Sequence, residues 1–148
     1  MLNLKIHSGD WVVVCDGAKA LILENAGDAV SLSLKTKEVH EQADPKTSEQ
    51  GSDAPGRSVN SVDGRRSAME QTDWHDQAEQ RFLTDLSKRL DAAVTGGETK
   101  SMILIAPPRA LGVLRQSYSA GLRNAVRSEI DKDYVKMSVH EIERHLAG

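Results

Sequence analysis

Ser101-Met-Ile-Leu-Ile-Ala-Pro-Pro-Arg-Ala-Leu-Gly-Val-Leu114 is the stretch that decides the fold class. The apolar run from Met102 to Ala106 reads as a buried strand. Pro107 and Pro108 then open a helix, because proline is tolerated in the first turn, where its missing N–H loses no partner. Leu111 and Leu114 begin the apolar face of that helix. A strand that feeds a helix N-terminus leaves unpaired N–H groups at the strand's carboxyl end. In open α/β sheets, ligands and anions bind there. Arg109 stands at that place and is the first candidate binding residue.

Working towards the N-terminus, the spacing predicts a helix over about 72–95. Trp74, Ala78, Phe82, Leu86, Leu90 and Ala93 recur at steps of three or four and fall on one face. Thr72 is the expected N-cap, and Gly96-Gly97 the stop. Before it, residues 40–70 hold Pro45, Pro55, Gly51, Gly56 and Gly64 among many polar residues. That composition predicts a long flexible loop inside a single domain spanning 1–148. Further upstream, Trp11-Val-Val-Val-Cys15 is β-branched and predicts a central strand. Asp16-Gly17 favours a tight turn, 18–25 returns as a second strand, and 30–39 alternates as an edge strand.

Towards the C-terminus, 117–128 reads as a connection. Residues 129–135 read as a short edge strand or extended chain. Ser138 with Glu141 forms a capping box that opens a closing helix to about 146. The order is βββαβαβα, that of a ribonuclease-H-like mixed sheet.

Composition narrows the function. The chain has 148 residues, 39% hydrophobic and only 3% aromatic, so its core is aliphatic. A net charge of −3 argues against a generic nucleic-acid coat. Cys15 is the one cysteine and lies in an apolar run, which predicts a buried thiol and no disulfide. No apolar run is long enough to span a membrane, and the first ten residues lack a signal-peptide core, so a cytoplasmic protein that does not engage membranes is expected.

Metal-dependent nuclease chemistry needs several carboxylates at the ends of the first strand, the long helix and the fourth strand. The fourth strand ends Ile105-Ala106-Pro107 with no acid. His75 with Glu79, and Glu141 with His145, are i,i+4 pairs that read as helix support. No metal, cofactor or catalytic residue is expected. The charge pattern points elsewhere. Between 107 and 128 stand Arg109, Arg115, Arg123 and Arg127 with no acid, a local charge of +4. Between 57 and 66, Arg57, Arg65 and Arg66 face only Asp63, a local charge of +2. Arginine suits bidentate phosphate contact, so Arg109, Arg65, Arg66, Arg115, Arg123 and Arg127 are the candidate anion- or RNA-binding residues. A solvated face is the alternative reading. Tyr118 is the one aromatic in the longer patch, too few for a multi-base stacking platform.

Three segments carry a family likeness: Trp-Val-Val-Val-Cys-Asp-Gly (11–17) with Ala-Leu-Ile-Leu-Glu-Asn (20–25), Gly-Arg-Arg-Ser-Ala-Met-Glu (64–70), and Ile-Leu-Ile-Ala-Pro-Pro-Arg-Ala-Leu-Gly-Val-Leu-Arg (103–115). Through them the chain resembles the bacterial host-attachment proteins. That family is similar to the middle domain of peptide-chain release factors, which implies a ribonuclease-H-like core and contact with RNA or the ribosome. In release factors a loop before the long helix carries Gly-Gly-Gln for peptidyl-tRNA hydrolysis. Here Gly64-Arg-Arg-Ser-Ala-Met-Glu70 stands in that place, so the resemblance does not carry peptide release over. Three readings follow: a non-enzymatic RNA- or ribosome-associated binding domain, a hydrolase on a tRNA- or nucleotide-linked substrate, and a protein-interaction module that affects attachment indirectly.

Overall fold

The computed structural model describes residues 5–42 and 64–147, the side chains of 64–75 excepted. Five strands form one mixed sheet: β1 Trp11–Cys15, β2 Lys19–Asn25, β3 Leu34–Glu41, β4 Met102–Ala106 and β5 Val126–Asp131. Among the described residues four helices accompany them: α1 Gly64–Thr95, α2 Pro108–Ser117, α3 Ala120–Ala125 and α4 Val139–Ala147. The sheet order is β3-β2-β1-β4-β5. β1 pairs antiparallel with β2, and β2 with β3; β4 runs parallel to both β1 and β5.

Every residue of β1 and β4 is buried, because both faces of the central strands are covered. Trp11, Val13, Cys15, Met102, Leu104 and Ala106 pack against Leu83, Leu86, Leu90 and Ala93 of α1, with Leu111 and Leu114 of α2 and Leu122 of α3. Val12, Val14, Ile103 and Ile105 face the opposite way, onto Ile142 and Leu146 of α4. The period-2 alternation of each strand thus feeds two cores. Cys15 lies in the first, and burial, assisted by Asp16, pushes its thiol up to about 12. It behaves as a small hydrophobe.

The strand–Pro-Pro–helix unit stands where the sequence puts it, with Pro107 extended as N-cap of α2. The capping box also forms: the Glu141 N–H donates to Ser138 Oγ at 3.1 Å, and the Ser138 N–H donates to Glu141 Oε1 at 3.0 Å. Gly97 stops α1 in the left-handed region at φ +80°. There the Glu98 N–H reaches back to the Ala93 carbonyl at 2.8 Å.

Four expectations need correction. The long helix begins at Gly64, so Thr72 is interior and not a cap. Arg, Arg, Ala, Met, Glu and Gln before it are strong helix formers and carry the helix upstream. The loop expected over 40–70 is overturned at both ends, since β3 runs to Glu41 and 64–70 are helical; the remainder of that expectation, over 43–63, lies outside the described residues. The edge strand expected over 30–39 begins at Leu34, and Val30 is 96% exposed in a turn. Asn25 is the reason. Its buried side chain donates to the carbonyls of Ile6, His7 and Asp28, and accepts from the N–H groups of Gly27 and Ser33. That hub consumes the backbone groups a longer strand would need. Finally, 117–128 is not a plain connection: it contains α3, and β5 starts at Val126, where it pairs with Met102. Tyr134 and Val135, expected in the strand, are buried after it in the α4-side core.

One contact ties the exposed edge strand to α1. Arg89 donates to Glu38 of β3 through Nε at 3.0 Å and to Glu98 through Nη1 at 2.9 Å. The Arg89 hydrogen bond, with a smaller share from His40, holds the Glu38 carboxyl down to about 2 from 4.5. The folded value lies below the unfolded one. The pair's contribution is therefore present above about 4.5 and is lost as pH falls towards 2. At a partly solvated site it is of order 1 kcal/mol. Replacing Glu38 with Gln is expected to flatten the fall in urea midpoint between those pH values; an unchanged acid limb would show that the pair adds nothing.

Candidate functional site

Two of the elements the sequence left indistinct, α3 and β5, build an arginine-rich concavity. α2 ends at Ser117, with Tyr118 extended as its C-cap. Ser119 caps α3: its Oγ accepts from the Leu122 N–H at 3.0 Å and donates to Asp91 of α1. This short corner folds the chain back, so that Arg123 of α3 stands over the Tyr118 ring at 5.6 Å. Arg115, in the last turn of α2, donates from Nε at 2.7 Å to Glu129 of β5. Tyr118 Oη donates to the other oxygen of the same carboxylate at 2.7 Å. Arg127 enters from the start of β5 and donates to Asp10 at 2.9 Å.

These groups surround a hollow of about 350 Å³ lined by Arg115, Tyr118, Arg123, Val126, Arg127, Ser128 and Glu129. Three guanidinium groups line it, of which Arg115 is paired with Glu129 and Arg127 with Asp10. Burial pulls the Glu129 carboxyl upward, yet hydrogen bonds from Arg115 and Tyr118 outweigh it and hold the group below its ordinary value. Burial, with the bond to Glu129, pushes the Tyr118 phenol well above its ordinary value, so it remains a neutral donor. Arg123 has no carboxylate partner among the described residues and keeps its charge available to a ligand.

Arg109 lies elsewhere. α2 runs back along the sheet, so Arg109 sits at the carboxyl end of β4 while Arg115 lies towards its amino end. Arg109 is 67% exposed and pairs with Asp76 and, at 3.3 Å, with Glu79 of α1. Asp16, in the turn after β1, is not its partner. Asp16 Oδ1 instead accepts from the N–H groups of Ala18 and Lys19, both at 2.8 Å, and closes the β1–β2 turn. A second hollow of about 200 Å³ surrounds Arg109, lined also by Gly17, Gln80, Pro107 and Val113. A Cβ on Gly17 would come within 2.8 Å of the Glu79 side chain, which would have to swing aside. Arg65 and Arg66 belong to the first turn of α1 rather than to a loop. Their side chains, like those of Thr72, Trp74 and His75, lie outside the described residues.

The structure thus brings Arg115, Arg123 and Arg127 together and separates Arg109 from them. Three further residues matter that the charge count passed over. Asp10 anchors Arg127, Glu129 orients Arg115, and Tyr118 supplies an aromatic wall. Only Tyr118 carried a signal, as the one aromatic between basic residues; the other two are distant partners that sequence order does not pair. Among the described residues no three His, Cys, Asp or Glu side chains gather to hold a metal, and no helix is long and apolar enough to cross a membrane.

Fold and site together define a mixed α/β domain with an arginine-lined hollow beside its parallel edge strand. The profile of the family described as "Protein required for attachment to host cells" matches residues 11–146, and the chain belongs to that family. A stretch of 59 residues is 39% identical to an uncharacterized protein of Rickettsia prowazekii (strain Madrid E), covering 38% of this chain and 39% of that protein. The match therefore spans well under half of the relative's length.

Proposed function

We propose that this host-attachment-family protein is a non-enzymatic, cytoplasmic RNA-binding domain that engages RNA alone or in the ribosome. The observation that carries the reading is the convergence of Arg115, Arg123 and Arg127, from α2, α3 and β5, on one hollow. Guanidinium groups from three elements form a preorganised, multi-point phosphate contact. The sheet order β3-β2-β1-β4-β5, with an antiparallel meander leading into parallel strands, supports a ribonuclease-H-like core of the release-factor middle-domain kind. At the carboxyl end of β4, where hydrolytic groups would gather, Arg109 occupies the Asp76 and Glu79 carboxylates. That favours binding over hydrolysis. Arg109, Arg65 and Arg66 would extend the contact to the other end of the sheet.

The test is fluorescence anisotropy of a labelled RNA oligonucleotide titrated across salt. The Arg115→Gln/Arg123→Gln double variant leaves the Arg127–Asp10 pair in place. It is expected to bind at least tenfold more weakly at low salt, and its log–log salt slope should flatten by about 1.4, for two lost single-strand phosphate contacts. If the parent shows no salt-dependent RNA binding, or the variant binds as the parent does, the interaction-module reading takes its place.

A further inference from the structure

The hollow beside β5 has features that a flat phosphate-binding face does not need. Its volume, about 350 Å³, lies near the lower end of small-ligand pockets, roughly 300–1,000 Å³. One wall is the Tyr118 ring. That ring is fixed at both ends: its backbone ends α2, and its hydroxyl donates to Glu129. The Arg123 guanidinium stands over it at 5.6 Å. Aromatic rings and guanidinium planes are the two surfaces on which unpaired bases stack. Val126, packed against the α1-side core, and the Ser128 main chain complete the lining with Arg115 and Arg127.

We infer that this hollow takes one unpaired nucleotide, its base stacked on the Arg123 guanidinium that the Tyr118 ring backs and its phosphate beside Arg115 and Arg127, so that the site selects single-stranded RNA over duplex. The inference rests on the RNA-binding reading above and narrows it. In a duplex the bases are stacked inward and the backbone is presented on a convex surface, which cannot enter a concavity of this size. A single ring with one guanidinium suits one base rather than a run of bases. Selection therefore comes from the state of the strand and not from its sequence.

The experiment compares a labelled ten-nucleotide RNA with the same sequence annealed to its complement, at one salt concentration, with the parent and with Tyr118→Leu and Tyr118→Phe. The parent is expected to bind the single strand at least tenfold more tightly. Tyr118→Leu should lose roughly tenfold on the single strand, as the base stack on Arg123 loses its backing ring, and nothing on the duplex. Tyr118→Phe, which keeps the ring face, should stay within about threefold of the parent. Should Tyr118→Leu fail to fold, the ring-proton resonances of Tyr118 in the parent decide: they should move upfield on addition of single strand only. Equal affinity for both forms, or an unmoved Tyr118 resonance with bound single strand, overturns the inference and leaves RNA binding standing. Binding of neither form by the parent overturns both.

Discussion

Replacing Trp11 with alanine is expected to lower the unfolding free energy by about 4 kcal/mol, and the melting temperature by roughly 10 °C. Trp11 is fully buried at the start of β1, where it is registered with Glu24 of β2 and Met102 of β4. Its ring underlies the Arg89 guanidinium at 5.7 Å and the Lys37 ammonium at 5.8 Å, so it also seats the two cations that flank the edge strand. Its Nε1–H is buried without a hydrogen-bond partner among the described residues. An unpaired buried donor costs about 1–3 kcal/mol. Trp11→Phe removes that cost along with part of the packing, so it should lose less than about 2 kcal/mol. Urea unfolding of both variants checks this. A Trp11→Phe loss well above 2 kcal/mol would show that the indole N–H is satisfied in the native fold.

The second large effect is expected at Asp10. Its carboxylate accepts from the His7 N–H at 2.9 Å, from Ser101 Oγ at 2.7 Å and from Arg127 at 2.9 Å. It therefore joins the amino ends of β1, β4 and β5, which share a direction. The Asp10 side chain is only 10% exposed, so removing it breaks three hydrogen bonds at once and leaves the His7 N–H, Ser101 Oγ and the 36% exposed Arg127 without their shared acceptor. Asp10→Ala should cost about 3 kcal/mol. Asp10→Asn, which keeps the shape and part of the hydrogen bonding, should cost about half as much. Denaturant midpoints measured at neutral pH decide. A loss below 1 kcal/mol for the alanine variant would show that the junction is held by backbone pairing alone.

Some elements were legible because their reasons are local. Met102–Ala106 is apolar throughout, and the two prolines after it end the strand and suit a first helical turn that Leu111 and Leu114 continue, so β4 and α2 follow from composition and backbone chemistry. The Ser138–Glu141 box and the Gly96-Gly97 stop depend on residues within one turn of each other, and both formed as expected. The burial of Cys15 follows from the same apolar run that makes β1.

The other features depend on partners far away in the chain. The start of β3 is set by Asn25, whose amide spends its capacity on Ile6, His7, Asp28, Gly27 and Ser33. The position of β5 depends on pairing with β4 and on a Ser119 cap that also reaches Asp91. The arginine count between 107 and 128 was visible, but not its division. A helix that returns along a parallel sheet places its two ends at opposite ends of the strands, so Arg109 parts from Arg115. Whether each arginine meets an acid was likewise a tertiary matter: Asp76, Glu129 and Asp10 lie 33, 14 and 117 residues from their partners. By itself the sequence determined β1, β2, β4, α2 and α4, because burial pattern and capping act within a few residues. Only the tertiary structure decided which charges stay available and where they gather, because charge pairing acts through space and ignores order along the chain.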